Sequence, residues 1–405
     1  MEALKKFNLG AIVEWCVLRR TGVEQVEFRR VFWAFNPSIL GFKHCRPMIS
    51  IDATHLYVKY KGKLMIAIGV DGNSQILPLA FAIVENESYA SLSWFLSHVK
   101  KHVVKDTKGI CLISDRHAEI LKAANEQGSP WLEPHGFHSY CLYCLRHFIN
   151  NFNDKFRNSQ LKALAYRAGS QNRIRKFNSI MEEIGKINRK ARQWLEQHAF
   201  DKWTLAHDSG KRYGLLTTNL LEIFNSVLKG GRCLPITSCV QLTFYRLVHY
   251  FDVRRPMGSN AQANGDMYTP HILAKLIWIK KKTCTCGKWL IYKYPCSHVL
   301  SASAKLSLNN WQYIDKCYSI LDYCATWSSE FRPLPHEAYW LNSSSIRELL
   351  PNSELKQDKK GRPRSTRLRN GMDIKERKKV NLCGICKQRG YNRATCPSKP
   401  RRMDA

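Results

Sequence analysis

Arg46-Pro-Met-Ile-Ser-Ile-Asp-Ala-Thr-His-Leu-Tyr-Val58 reads as a β-strand of apolar and β-branched residues with a single carboxylate, Asp52, at its centre. A carboxylate in a strand with no exposed face is costly unless a cation pairs with it or a metal binds it. The rest of the chain has to supply one or the other.

Two further strands follow, Leu64–Val70 and Ile76–Val84. Between them, Asp71-Gly72-Asn73-Ser74 has the turn chemistry of a hairpin, which accounts for Asp71 without invoking a site. Leu92, Phe95, Leu96 and Val99 then predict a helix over 89–104 with Ser88 as its N-cap. A short strand, 109–114, ends in Asp115; a helix over 116–126, a strand over 137–143 and a helix from Leu145 to Phe152 complete the run. Three antiparallel strands, a helix, a strand, a helix and a strand predict an α/β fold: a ribonuclease H-like mixed sheet with helices on both faces. In that layout Asp52 lies mid-strand beside the strand that ends in Asp115, so two carboxylates converge on one sheet end. Residues from about 153 to 210 look wholly helical, as an insertion. A capped helix over 217–229 then carries Glu222 and Asn225, three apart and on one face. A further helix covers 243–251, and 255–268 reads as a polar loop.

Composition narrows the function. The 405 residues hold 64 Lys and Arg against 32 Asp and Glu, a formal net charge of +32, which points to a polyanion and first of all to DNA. The longest apolar run, Ile76–Val84, contains a proline and is far too short for a membrane span. No apolar signal-peptide core opens the chain. Fifteen cysteines, several close to histidines, suggest reduced thiols and metal sites in an intracellular protein, nuclear if the polyanion is DNA.

Asp52, Asp115 and Glu222 are the candidate catalytic carboxylates, since carboxylates of this kind can hold Mg²⁺ or Mn²⁺ and activate a water or a 3′-hydroxyl. Singly, Asp115 also reads as a helix N-cap and Glu222 as a surface helix residue. Cys284-x-Cys286-x₉-Cys296-x-His298 has the ligand types of a structural Cys₃His zinc site. Cys144-x₂-His147, with His138 and Cys141 nearby, reads equally as a metal pair and as a buried thiol beside a satisfied histidine. Cys383-x₂-Cys386-x₉-Cys396 has the spacing of a zinc knuckle, but Tyr391 stands where the histidine belongs, and a phenol with a pKa of about 10 is a poor ligand, so the knuckle is degenerate. The tail from 355 carries 17 Lys or Arg and 4 acids. Within it, Gly361-Arg362-Pro363-Arg364 suits an A·T-rich minor groove, while the tail as a whole reads as largely disordered and attracted to phosphates.

Ile51-Asp-Ala-Thr-His55, Ser114-Asp-Arg-His117, Cys144-Leu-Arg-His147, Thr217-Thr-Asn-Leu-Leu-Glu-Ile-Phe-Asn225 and the Cys284–His298 cluster together resemble a plant Mutator-like (MuDR-type) transposase over roughly residues 30–397. The resemblance implies a DDE triad of Asp52, Asp115 and Glu222, with Cys144 and His147 as an accessory pair. It also implies a SWIM-type zinc finger and metal-dependent nicking and strand transfer of DNA. The domains expected from it are a remnant of the preceding region (1–45), a catalytic domain (46–252), a SWIM region (270–330), a basic linker with Gly-Arg-Pro-Arg (331–380) and a degenerate knuckle (381–397). The chain departs from the family in Ala53, where a glycine is usual, in Tyr391, and in starting near the edge of the catalytic domain, as an N-terminally truncated copy would. The expected cofactors are structural Zn²⁺ and catalytic Mg²⁺ or Mn²⁺. The expected partner is DNA, with a homo-oligomer left open and no membrane. Two other readings keep the scaffold without catalysis: a domesticated nuclear DNA-binding or transcription-regulating protein, and a SWIM-containing adaptor.

Overall fold

Extended, β-rich segments and amphipathic segments separate cleanly along the chain. The strands are β1 (Ile12–Arg19), β2 (Val26–Ala34), β3 (Met48–His55), β4 (Lys63–Val70), β5 (Ile76–Val84), β6 (Cys111–Ser114), β7 (Tyr140–Tyr143) and β8 (Leu349–Leu350). The helices up to the insertion are α1 (Glu2–Phe7), α2 (Asn36–Phe42), α3 (Tyr89–His98), α4 (Ala118–Asn125) and α5 (Leu145–Phe156). Those of the insertion are α6 (Ser159–Gly169), α7 (Ile174–Ile187), α8 (Arg189–Glu196) and α9 (Phe200–Trp203). The rest are α10 (Asn219–Val227), α11 (Ile236–Ala263), α12 (Pro270–Lys280), α13 (Lys288–Tyr292), α14 (Ser297–Lys305) and α15 (Ile320–Trp327). This computed structural model describes residues 1–19, 26–56, 62–115, 118–126, 129, 131, 140–228, 230–280, 288–305, 309–336, 340, 349–351 and 355–356. All of them fall in one unit, Met1–Arg364. No helix among them is long and apolar enough to cross a membrane.

One mixed sheet runs β1-β2-β5-β4-β3-β6-β7, with β8 pairing outside that path onto β2. The expected meander is present: β3, β4 and β5 pair antiparallel, and β6 and β7 add in parallel on the β3 side. The stretch before Met48 contributes to this sheet, because β2 pairs with β5 and β1 with β2. Every residue of β5 is buried, as is proper for a strand covered on both faces. β3 differs from the expectation of a strand with no exposed face. Its first four residues are buried, but from Asp52 on it opens, and His55 is exposed. Ala53 remains extended, paired opposite Met65.

The main core lies between the sheet and α3, α10, α11 and α15. Trp33 fixes α11 to β2 by donating from its indole N–H to Thr243 Oγ1 at 3.0 Å. α11 corrects the reading of 255–268 as a loop, because it continues to Ala263 through Pro256. Its last turns are held by tertiary contacts: Gly258 packs against Tyr323 and Cys324, and Arg255 donates to the carbonyls of Trp327 and Ser329. Packing of this kind offsets the loss of one helical N–H at a proline. Asp71 also does more than close the β4–β5 turn. Buried completely, it accepts from Gln75 N–H (2.7 Å) within the turn and from Trp327 Nε1–H (3.0 Å), which ties the hairpin to the end of α15. Beside it, Gly72 leaves no room for a side chain, since a Cβ there would sit 2.1 Å from the Cys317 carbonyl.

The insertion has a core of its own, built from Phe148, Phe152, Leu164, Phe177, Ile184, Leu195 and Trp203. Where the chain leaves it, Asp208 and Arg212 form an ion pair of 2.9 Å with both side chains fully buried. Arg212 also donates to the carbonyls of Lys202 (3.1 Å) and Tyr143 (3.5 Å), joining α9 to β7. Removing one partner strands a buried charge at a cost of about 3–5 kcal/mol. Arg212→Ala should therefore lower the unfolding free energy from a urea titration, followed by tryptophan fluorescence, by an amount in that range, with a matching fall in the midpoint, and Asp208→Leu/Arg212→Met should recover much of it. An unchanged midpoint in the single variant would show that the pair is not what anchors the insertion.

Candidate active site

Strand register brings the site together. β3 and β6 pair Met48 with Cys111, Ile49 with Leu112 and Ser50 with Ile113, so two residues further on Asp115 is level with Asp52. β6 and β7 pair Ser114 with Tyr143, which sets Cys144 level with Asp115. Neighbouring strands are about 4.8 Å apart, and these residues lie at the carboxyl ends of parallel strands, where open α/β sheets place their ligands. Asp52 and Asp115 line one small cleft of about 30 Å³ together with Glu87, Met65, Leu92, Phe95 and Ile120. Glu87 is held at its rim by Lys63 at 3.3 Å.

Asp52 sits in an environment that disfavours its charge. Burial pushes its pKa up to about 6; His147 and a backbone hydrogen bond pull the other way, while Asp115 and Glu87 add to the rise. α10 reaches the same carboxyl: Asn225 Nδ2–H donates to Asp52 Oδ2 at 3.1 Å. The other end of that amide, Oδ1, is buried and has no hydrogen-bond partner. Glu222, one turn earlier on α10, does not join the two aspartates in the cleft. Its Oε2 accepts from Arg146 Nη1–H at 2.6 Å, and Asn219 accepts from the same nitrogen at 3.3 Å.

The Cys144–His147 pair lies against this acid cluster. Cys144 is the N-cap residue of α5 and is completely buried. Its sulfur accepts from the N–H and the hydroxyl of Thr218, each at 3.4 Å. Burial alone would raise the thiol's pKa, but His147 and then Thr218 bring it below the ordinary value, and a helix N-terminus favours the thiolate. For His147 burial works against the charge, yet Cys144, then Asp115 and Asp52, hold the imidazole up to about 9. Its Nδ1 makes no hydrogen bond within the structure. Cys141 stands apart from the pair: it packs in the main core, across the sheet from the small cluster of Met48, Ile113, Leu142 and Cys144, and burial pushes its thiol up to about 11. His138 and the Arg116-His117 part of the second motif lie outside the described residues.

Of the residues singled out in the sequence, the structure brings Asp52, Asp115, Cys144, His147 and the α10 face together. Sequence reasoning missed Glu87, which read only as part of a polar stretch before a helix cap, and Arg146 as the partner of Glu222. Among the described residues no group of three or more His, Cys, Asp or Glu is disposed to hold a metal ion. The two aspartates that line the cleft offer carboxylate oxygens, and Asn225 beside Asp52 keeps its Oδ1 unpartnered, donors that fit Mg²⁺ or Mn²⁺ rather than zinc. Of the zinc motif, Cys296 is buried and His298 exposed at the start of α14. Cys284 and Cys286 lie outside the described residues, as do Arg362, Arg364, Cys383, Cys386 and Cys396.

Two consequences can be measured. A carboxylate whose folded pKa lies above its unfolded one supports the fold fully at acid pH, and that support is lost as pH rises through about 6. Asp52→Asn should therefore raise the melting temperature of metal-free protein at pH 8 and leave it unchanged near pH 3; a lower melting temperature at pH 8 would mean that the site stabilises the ionised form. Replacing Cys144 with Ala removes the chief group that raises His147. The imidazole should then titrate well below 9 in an NMR pH series, and no change would separate the two residues.

Residues 48–151 match the family model of the MULE transposase domain, a span containing Asp52, Asp115, Cys144 and His147. Residues 276–306 match that of the SWIM zinc finger and contain all four expected zinc ligands. No curated protein matches the chain. A MULE transposase domain followed by a SWIM zinc finger supports a MULE-type transposase with zinc binding, and a transposase domain implies interaction with DNA.

Proposed function

We propose that the chain is a Mutator-like DDE transposase that binds DNA in the nucleus, with a ribonuclease H-like sheet as its catalytic scaffold and Asp52, Asp115 and Glu222 as its triad. The observation that carries this reading is the convergence at one sheet end of Asp52, Asp115 and the α10 face. That convergence takes the form of the level register of β3 and β6 and the Asn225–Asp52 hydrogen bond. The strand order, an antiparallel meander extended by two parallel strands, supports the scaffold.

Asp52 and Asp115, joined by Glu222, would hold Mg²⁺ or Mn²⁺; such ions activate a water or 3′-hydroxyl and stabilise the leaving oxygen of a phosphodiester. The chain's own residues prepare the place. Burial keeps Asp52 poised near pH 6, so that it gives up its proton readily when positive charge arrives. His147 balances part of the negative charge of the aspartates. Asn225 fixes one oxygen of Asp52 and leaves its own amide oxygen available. Thr218 and Cys144 lock the start of α10 to the start of α5, so that Glu222 and His147 keep their relation. Cys284, Cys286, Cys296 and His298 would bind one structural Zn²⁺. The Gly-Arg-Pro-Arg segment, through Arg362 and Arg364, would add phosphate or minor-groove contacts.

A second reading has one observation in its favour. Glu222 is engaged by Arg146, the arrangement expected of a scaffold that binds DNA without cutting it. The two readings part on a single assay. Purified full-length chain with Mn²⁺ should nick a terminal-repeat DNA duplex, and Asp52→Asn should reduce the rate at least a hundredfold. DNA binding with no nicking by the wild-type chain would select the non-catalytic scaffold, and equal nicking by Asp52→Asn would remove the triad. For the zinc site, elemental analysis should return one Zn²⁺ per chain, lost in Cys296→Ser; native protein without zinc would exclude it.

A further inference from the structure

The insertion and the SWIM-matching segment share a groove that the reading above leaves unused. It has a volume of about 760 Å³ and lies between the start of α7, the 205–209 turn and α13. Arg173, Arg175 and Lys176 line one side, and Ser209, Leu290 and Ile291 the other. Among the described residues no carboxylate lines it.

Several cations elsewhere in the chain are engaged, and these three are not. Arg29 and Arg30 are spent on Glu85, Arg146 on Glu222, Arg192 on Glu196 and Arg212 on Asp208. Arg173, Arg175 and Lys176 make no ion pair, side-chain hydrogen bond or ring contact among the described residues. α7 also begins there without a side-chain cap, so the positive end of the helix adds to the same field. Around the cations stand Ile174 and Leu290, both more than half exposed (53% and 54%). Unpaired guanidinium and ammonium groups beside exposed aliphatic side chains match the alternation of phosphate and deoxyribose along a DNA strand.

The groove is joined physically to the acid cleft. Ser209 on its floor is followed by Gly210, where a Cβ would strike the Leu290 carbonyl at 1.9 Å, so the loop is pressed onto α13. Arg212 in the same loop donates to the Tyr143 carbonyl, one residue before Cys144. Leu216, four residues further, accepts from Leu145 N–H at the start of α5.

We propose that this groove is a binding track for duplex DNA, in which Arg173, Arg175 and Lys176 neutralise backbone phosphates flanking the phosphodiester that enters the acid cleft. The proposal rests on the transposase reading for the identity of the DNA, but its test is one of binding rather than of cutting. Full-length chain would be titrated against a labelled 30-base-pair duplex by fluorescence anisotropy across a salt series, with no added divalent metal. Each phosphate contact contributes about 0.9 to the slope of log K against log salt. The variant Arg173→Gln/Arg175→Gln/Lys176→Gln should flatten that slope by about 2–3 and weaken binding at least tenfold at 0.1 M salt. The variant Lys186→Gln/Arg189→Gln/Lys190→Gln removes the same charge where α7 gives way to α8 and should do much less, with equal melting temperatures showing that both variants are folded. Equal losses in the two variants, an unchanged slope in the first, tighter binding of single-stranded RNA than of duplex, or no duplex binding by the wild type would each overturn the track. If the wild type fails to nick while the first variant loses binding, the track stands and the catalytic reading falls. If the wild type nicks and the first variant binds and nicks like it, the reverse holds.

Discussion

A carboxylate at the point where a buried strand opens to solvent sets the terms for everything around it. Asp52 is flanked by the apolar half of β3 and faces Asp115, which the parallel register sets level with it. Burial first, and then the neighbouring Asp115 and Glu87 at the rim, disfavour ionisation of Asp52 in this half-dry cleft. Among the described residues the structure answers with the cation His147 and with hydrogen bonds from the Ala53 N–H and Asn225. That response is partial: Asp52 keeps a pKa of about 6, and two buried polar atoms, Asn225 Oδ1 and His147 Nδ1, are left without partners. Both atoms belong to residues that touch the acid cluster, Asn225 through its hydrogen bond to Asp52 and His147 through its charge.

The helices serve that cleft by being shared. α5 presents Cys144 and His147 to the acids, Arg146 to Glu222, and its apolar face to the insertion core. Thr218, at the N-cap position of α10 but making no side-chain cap, is bonded to the Cys144 sulfur. A single turn of α5 thus connects the sheet, the insertion and α10, and displacement of any one is felt by the other two. On the far side of the sheet the β4–β5 hairpin does the equivalent work for the carboxyl-terminal region. There Asp71 accepts from Trp327, and the Gly72 carbonyl accepts from Thr269 Oγ1.

What was legible in the sequence was whatever rests on local chemistry. The β4–β5 turn, the Ser88 cap and the strand ending in Asp115 follow from residue type and period, and each is present. What depended on distant partners was not. Asp71 looked like turn chemistry alone because its second hydrogen bond reaches 256 residues along the chain. The polar stretch after Arg255 looked like a loop because a helix half exposed to solvent is polar on that side, and nothing nearby signals that Tyr323 and Cys324 will pack on Gly258. Glu222 was recognisable as a candidate, while its engagement with Arg146 depends on how α5 and α10 dock, which no spacing encodes.

The separate core of the insertion also bears on how the molecule comes to be folded. Residues 145–203 bury Phe148, Phe152, Phe177, Leu195 and Trp203 among themselves, and helical contacts between neighbours in sequence form quickly. The pairing of β3 with β6 and the docking of α10 on Asp52 span far longer separations, so the loop-closure cost falls on them. A growing chain therefore has the means to complete its insertion before the segment bearing Glu222 and Asn225 has been made. The negatively charged cleft is then closed last, around a helical block already in place, and a chain ending short of residue 225 would hold that block without a finished cleft.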